Sequence, residues 1–277
     1  MKSVAALITC HNRRAKTLNC LQALFNQIGL GGEYLLKVFV VDDGSSDDTS
    51  GAISSQFPDV CLIDGDGNLY WNRGMHLAWE IASKTKDFDF YLWLNDDTYL
   101  FKDSLYKLLK AAESTKYLSA VCGSTVSSRQ NIITYGGHSI KGNLLLPTGY
   151  LQEAFTFNGN IVLIPKAVYE KIGNLDPIFH HSIGDYDYAL RIRKHNLKSF
   201  ILEEYAGECE RNEELPKWCL RNISFKQKVA NLYSPLGNSH PIFYFYYTFK
   251  HFGFFVSIRH FVSIHIRLLF PGLWLKK

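Results

Sequence analysis

The sequence predicts an α/β fold: a mainly parallel central sheet with helices on both faces, plus a helical tail at the C-terminus. Three observations predict it. Short apolar runs alternate with helical patterns through the first half of the chain, the rhythm of strands joined by crossover helices. Several of these runs end in clusters of polar residues, as strands do at the ligand-binding edge of a parallel sheet. The 277 residues are 47% hydrophobic and 20% charged, which provides for a large core and excludes a disordered chain.

A strand over 4–9 opens the chain; its apolar run is too short for a signal sequence and lacks a small-residue cleavage pattern. A helix over 16–27 follows, with Leu18, Leu21, Leu24 and Phe25 on one side. Residues 37–41 are rich in β-branched side chains and form the second strand. Ser45, Ser46, Asp47 and Asp48 are cap candidates for a helix over 49–57. A strand over 60–63, a helix over 72–83 and a strand over 90–94 continue the rhythm. From about residue 124 the pattern changes, and 132–149, rich in Gly, Thr and Tyr, reads as irregular strands and turns. A strand over 161–164, a short helix over 166–172 and a longer one over 186–195 belong to the same mixed domain, 1–235, which has no internal repeat or linker. Residues 236–277 form the tail.

Charge is uneven along the chain. Nine of the 30 Lys and Arg residues (217, 221, 226, 228, 250, 259, 267, 276 and 277) follow Glu214, beyond which there is no acidic residue. Positions 1–214 therefore hold 21 basic against 26 acidic residues, and the net charge of +4 conceals an acidic body with a basic tail. Aromatic and aliphatic runs in that tail, such as 242–247 and 252–258, are broken by single cations. The pattern suits peripheral contact with an anionic membrane surface better than a nucleic-acid groove. A helical hairpin packed on the domain, or a contact between two copies, is the plainer alternative. No run of about 18 uncharged apolar residues occurs, which argues against a conventional transmembrane helix. The six cysteines (10, 20, 61, 122, 209 and 219) are scattered without a Cys-x-x-Cys pair, so reduced thiols are expected. Cys209 and Cys219 have no nearby His pair to complete a zinc site.

Ligands of a parallel sheet bind beyond the carboxyl ends of its strands. The first strand delivers Thr9-Cys10-His11-Asn12-Arg13 to that edge, the second Asp42-Asp43-Gly44-Ser45-Ser46, and the fourth Asn95-Asp96-Asp97-Thr98. Four carboxylates thus collect at one rim. No Gly-x-Gly-x-x-Gly follows a strand and no Gly-x-x-x-x-Gly-Lys-Ser/Thr occurs, so backbone glycines are not what holds phosphate. Paired carboxylates do so through a hard divalent cation, Mg²⁺ or Mn²⁺, which fills its remaining positions with phosphate oxygen and water. Asp96-Asp97 is the natural pair, since two acids directly after the apolar Tyr91-Leu92-Trp93-Leu94 are costly unless paired or metal-bound. For Asp42-Asp43 the alternative is a strand-ending turn with a helix cap.

With these segments in place, the chain resembles the family-2 glycosyltransferases of the GT-A fold. The resemblance rests on Thr9-Cys10-His11-Asn12-Arg13, 40–49, 68–74 (Asn-Leu-Tyr-Trp-Asn-Arg-Gly), 94–98, Asn158-Gly159-Asn160, 173–177 and 184–191, in family order across roughly residues 3–200. It implies a nucleotide-diphosphate sugar donor. Thr9 and Arg13 would line the nucleotide, and Asp43 would accept a hydrogen bond from a pyrimidine base. Asp97 would be the main metal ligand, with Asp96 beside it near the ribose or sugar. Asn68 and Arg73 fall where the family's nucleotide- or sugar-facing loop lies. The family's base is the Asp of a Glu-Asp pair opening a helix; here the pair reads Gly184-Asp185, so Asp185 would be the base, with a plain helix N-cap as its alternative reading, and the second carboxylate is missing. The metal motif likewise begins with Asn95 where the family has an Asp. Asp187 reads as a helix cap.

The resemblance therefore implies a non-processive, inverting transferase. The Gln/Arg-x-x-Arg-Trp motif and transmembrane helices of processive members are absent, the nearest fragment being Leu215-Pro216-Lys217-Trp218. Glycosyl transfer needs charge neutralisation at the leaving diphosphate, a carboxylate to take the acceptor proton, and alignment of both substrates. Arg211 or Lys217 over the phosphates, and His180 and His181 at the entrance, are further candidates, for each of which a solvated loop is the plainer reading. With the basic tail, the resemblance implies a glycan or lipid-linked acceptor and surface-polysaccharide assembly by a cytoplasmic protein at the inner membrane face. The rival classes are a non-catalytic nucleotide-sugar-binding protein and a GT-A-like nucleotidyltransferase, whose Gly-rich Arg/Lys loop is absent.

Overall fold

The computed structural model describes residues 1–211, 216–220, 222–237, 239–270 and 273. Strand β1 (Lys2–Cys10) is buried at every residue after Lys2, because its side chains alternate onto two covered faces. Val4, Ala6 and Ile8 enter one core, Ala5 and Leu7 the other. Helix α1 (Arg14–Phe25) closes the first face with Cys20, Leu21 and Leu24. Strand β2 (Tyr34–Asp42) pairs parallel with β1 in unbroken register from Lys2↔Tyr34 to Cys10↔Asp42. Then come α2 (Thr49–Gln56), β3 (Cys61–Asp64), α3 (Tyr70–Thr85) and β4 (Phe90–Leu94).

β4 pairs with the free edge of β1, so the chain builds outward through β2 and β3 and then crosses back. That reversal makes the crevice beyond the ends of β1 and β4 a topological switch point, where open α/β sheets bind ligands. The rest of the body comprises β5 (Tyr99–Leu100), α4 (Ser104–Ser114), β6 (Ser119–Val126), β7 (Ile133–Tyr135), β8 (Gly137–His138), β9 (Gln152–Ala154) and β10 (Thr156–Phe157). β11 (Ile161–Pro165), α5 (Lys166–Ile172), α6 (Gly184–Lys194) and β12 (Lys198–Glu208) complete it. The sheet order is β3-β2-β1-β4-β11-β6-β12-β5, with β7 added to β6 and β9 to β12. β3, β2, β1, β4, β6 and β12 share one direction, whereas β11 opposes both its neighbours. The start of β11 therefore lies at the ligand edge.

α1, α2 and α4 cover one face, and α3, α5 and α6 the other. This is the mostly parallel, doubly covered sheet the sequence predicts, and the bounds of β4 and α5 coincide with prediction. Three main elements, α4, β6 and β12, are additions to the predicted series. The cap of α2 also differs. Asp48 holds the N-cap position with a left-handed backbone (φ 60°) and no side-chain cap bond, while the Asp47 carboxylate accepts the Thr49 N–H at 3.2 Å.

Beyond β12 a 3₁₀ turn (Lys217–Cys219) leads to α7 (Phe225–Leu232), α8 (Pro241–Phe252) and α9 (Phe254–Leu269). Ser224 and Gln227 form a reciprocal capping box on α7. Gly253, at φ 88°, turns α8 into α9 in a backbone region that favours glycine. α8 packs on the body through a cluster of Phe179, Ile183, Leu190 and Tyr247. Trp218, Leu232, Ile264 and Leu268 form a small core of their own. The tail is thus a helical hairpin seated on the domain. Leu215, Arg221, Lys276 and Lys277, used in the sequence reading, lie outside the described residues. No described helix is long and apolar enough to cross a membrane.

Candidate active site

The turn after β4 is fixed from both sides. The Asn95 N–H donates to the Asn160 carbonyl at 3.0 Å, and the Asn95 carbonyl accepts from Thr98 N–H at 3.1 Å. Asp96 and Asp97 occupy the apex and meet Arg13 from the end of β1. One guanidinium nitrogen, Nη1, donates to Asp96 Oδ1 at 3.1 Å and to Asp97 Oδ2 at 3.0 Å. Lys16 Nζ stands 3.7 Å from the same Asp97 oxygen. Burial pushes Asp96 up to about 6, against the pull of Arg13. Its second oxygen, Oδ2, is buried with no hydrogen-bond partner, while the Asp97 side chain is more open. Cys209, at the end of β12, places Sγ 3.8 Å from Asp97 Oδ1.

Asp185 reaches this rim from the first turn of α6. Its Oδ2 accepts the Gly159 N–H at 3.0 Å and its Oδ1 accepts the Tyr186 N–H at 2.9 Å. Burial raises its pKa to about 6, and the two backbone donors offset only part of that cost. Trp71 joins the two ends. Its indole N–H donates to Asn95 Oδ1 at 2.7 Å, and its ring lies so close to Gly159 that an added Cβ there would fall 2.5 Å from Cη2. The chain Asp97–Asp96–Asn95–Trp71–Gly159–Asp185 is thus continuous. Neither Trp71 nor Gly159 stood out in the sequence as a site residue. Their only signal was membership of the segments 68–74 and 158–160.

The other sequence candidates surround this line. Thr9 is buried beneath α3, where a Cβ at Gly74 would strike its hydroxyl. The Asp43 carboxylate accepts backbone N–H groups from Gly67 (2.9 Å), Leu69 (3.2 Å) and Tyr70 (2.8 Å), and so shapes the loop that enters α3. Asn68 is exposed on that loop. Arg73 Nε donates to the Pro177 carbonyl at 2.8 Å, and buried Asn72 donates to the carbonyls of Asp176 and Phe179. These bonds tie α3 to the segment that leads into α6. His181 lies on that segment; burial, and then Arg13, lower its pKa, so the ring is neutral at pH 7. His180 stacks on Tyr70 and packs against Phe243 of the tail. Arg211 and Lys217 are exposed.

Asp187 departs from its expected place as a helix cap. Ile183 holds the N-cap position of α6, and the Asp187 carboxylate is fully buried. It accepts from Arg191 Nε at 2.8 Å, and Lys250 Nζ and His251 Nε2 each lie 2.8 Å from Oδ1. Burial alone would raise its pKa, yet these partners hold it down at about 2. Asp187 is the anchor of α8. Lys250 also reaches Asp176 at 2.8 Å.

The pattern that defines "Glycosyl transferase family 2" matches residues 5–186, well over half the chain and the whole rim from Thr9 to Asp185. The chain belongs to glycosyl transferase family 2. Two solved glycosyltransferase structures share its GT-A fold. The mannosyltransferase PcManGT from Pyrobaculum calidifontis, in complex with GDP-Man and Mn²⁺, is 15% identical with a TM-score of 0.57, over 94% of this chain and 73% of that one. TarS from S. aureus is 14% identical with a TM-score of 0.53, over 92% of this chain and 44% of that one. This chain therefore spans less than half of TarS. Identities at this level speak to fold alone. No curated protein sequence matches the chain. In the family context the Asp96-Asp97 turn fits a hard divalent cation: it offers carboxylate oxygens, one of them buried and unpartnered. Among the described residues no group of three or more His, Cys, Asp or Glu side chains gathers, so an ion here would draw its remaining ligands from phosphate and water.

Proposed function

We propose that the protein is a non-processive, inverting hexosyl- or deoxyhexosyltransferase. It moves one sugar from a nucleoside-diphosphate donor to a hydroxyl of a glycan or lipid-linked acceptor, in surface-polysaccharide assembly at the cytoplasmic membrane face. The observation that carries this reading is the line from Asp97 to Asp185 through Asn95, Trp71 and Gly159. It joins the Asp96-Asp97 pair, which would hold a cation, to Asp185, which would accept the proton, along one rim.

Asp97, assisted by Asp96, would hold Mn²⁺ or Mg²⁺, which when bound neutralises charge on a leaving diphosphate. Arg13 lies at the same phosphates, with Thr9 beneath and Asp43, Asn68 and Arg73 bordering the nucleotide. Asp185 takes the acceptor proton. With a pKa of about 6 it is ionised at neutral pH, yet a stronger base than an ordinary carboxylate. A base opposite the leaving group directs attack from the far side of the sugar and so inverts the anomeric centre. The PcManGT complex with GDP-Man and Mn²⁺ makes GDP-sugars with Mn²⁺ the first donors to test.

Donor hydrolysis and transfer, measured with UDP-, GDP- and dTDP-sugars, test the assignment. Asp97→Ala is expected to abolish transfer and weaken metal-dependent nucleotide binding by calorimetry. Asp185→Asn is expected to lower kcat by about 10²–10⁴-fold with nucleotide binding intact. Wild-type turnover in Asp185→Asn removes that residue from the chemistry.

A further inference from the structure

We infer that the outward face of the α8–α9 hairpin docks onto an anionic lipid bilayer, lying in the interface without crossing it. Its consequence for catalysis rests on the proposed transfer; the lipid contact stands without it. On α9 the exposed apolar residues are Phe255, Ile258, Val262, Ile266 and Leu269, at steps of three and four that keep them on one side. Phe255 is 88% exposed, while Ser257, Ile264 and Leu268 on the opposite side are buried. Phe249 and Phe252 of α8 and Phe254 at the turn are also exposed. Soluble monomers rarely leave a contiguous apolar surface of this kind bare.

The charge identifies the occupant. No acidic residue follows Glu214, and Arg259 is exposed within the α9 stripe. Lys250 is spent on Asp176 and Asp187 and takes no part. A second copy would set Arg259 against the same stripe with no acid of the tail to meet it. Anionic headgroups complement it, and the apolar stripe enters the acyl boundary. At 16 residues α9 is about 24 Å long, short of a bilayer core of about 30 Å, so it lies flat. The inner side of α8 grips α6 through Asp187. The docking face is thereby fixed to the helix that carries the base Asp185.

Flotation of the full chain with phosphatidylcholine vesicles containing about one third phosphatidylglycerol, against phosphatidylcholine alone, tests the inference. The protein is expected to float with the anionic vesicles and to be released by high salt. Phe255→Glu with Ile258→Glu should cut the bound fraction about tenfold or more without loss of helical signal or Tm. Should that pair unfold, Val262→Glu with Ile266→Glu probes the same stripe. Wild-type protein that does not float, a folded variant that floats as well as wild type, or a concentration-dependent dimer that the variant abolishes each overturns the inference. Transfer to a soluble glycan acceptor separates the two proposals. Intact transfer without flotation removes the docking surface alone; flotation without transfer removes the transferase reading alone.

Discussion

Asp187→Ala removes a carboxylate that is fully buried and faces three nitrogens at 2.8 Å, those of Arg191, Lys250 and His251. The variant leaves His251, 1% exposed at its side chain, and Arg191, 15% exposed, facing an apolar methyl. Deleting one partner of a buried pair costs about 3–5 kcal/mol, and the low end applies because Lys250 keeps Asp176 and is partly hydrated. A second route gives a similar figure. The folded carboxyl is held at about 2 against an ordinary 3.8, and each unit is worth ~1.4 kcal/mol, so the carboxylate contributes about 2–3 kcal/mol. Because the folded pKa is depressed, that stability is fully present above the unfolded value near 4 and is lost as pH falls through about 2. A chain of this size loses ~2–4 °C in Tm per kcal/mol, so Asp187→Ala should melt roughly 6–12 °C lower at pH 7. The gap should close as both proteins are acidified below about pH 4. Melting curves by calorimetry or circular dichroism across that range decide it. A Tm within about 2 °C of wild type at neutral pH, or an offset indifferent to acid, refutes the anchor.

Three further outcomes follow from the same geometry. The pH profile of kcat should carry an acid limb near 6, activity falling as Asp185 gains its proton, and Asp185→Asn should flatten that limb. Trp71→Phe deletes the N–H held by Asn95 and should lower kcat/KM about tenfold with Tm little changed, read by steady-state kinetics beside a melt. Gly159→Ala forces a methyl against the Trp71 ring and should cost at least as much, whereas equal activity in Gly159→Ala would show that the ring position does not matter.

Much of the body was legible because β1, β2 and β4 are continuous apolar strands and their helices carry a 3.6-residue period. β6 and β12 were not. β6 (Ser-Ala-Val-Cys-Gly-Ser-Thr-Val) is built of small residues, and a Cβ at Gly123 would collide with Ala206 of β12 at 2.6 Å, so the two strands trade bulk for close approach. β12 holds acidic residues at 203, 204 and 208 that no strand signal favours. α4 does carry the helical pattern, with Leu105, Leu108, Ala111 and Ala112 buried, and the predicted series passes over it. In the site, the polar ends of β1, β2 and β4 were visible as motifs, because each is a local run. The meeting of Trp71 with Gly159 was not, since it depends on an absent side chain 88 positions away. Asp187 looked like a cap because its partners Lys250 and His251 lie 63 and 64 positions downstream.

The reversed direction of β11 has an effect on how this protein can vary. β6 ends and β11 begins at the same edge, with Val162 beside Cys122, so residues 127–160 depart from β6 and return beside it, adding β7 and β9 to the sheet on the way. An excursion with neighbouring ends can lengthen at little entropic cost, about 0.6 kcal/mol for each doubling. Its last residues, Gly159 and Asn160, stay pinned by Asp185 and Asn95. The loops between its strands can therefore lengthen and reshape the surroundings of the rim while these two pinned residues hold still.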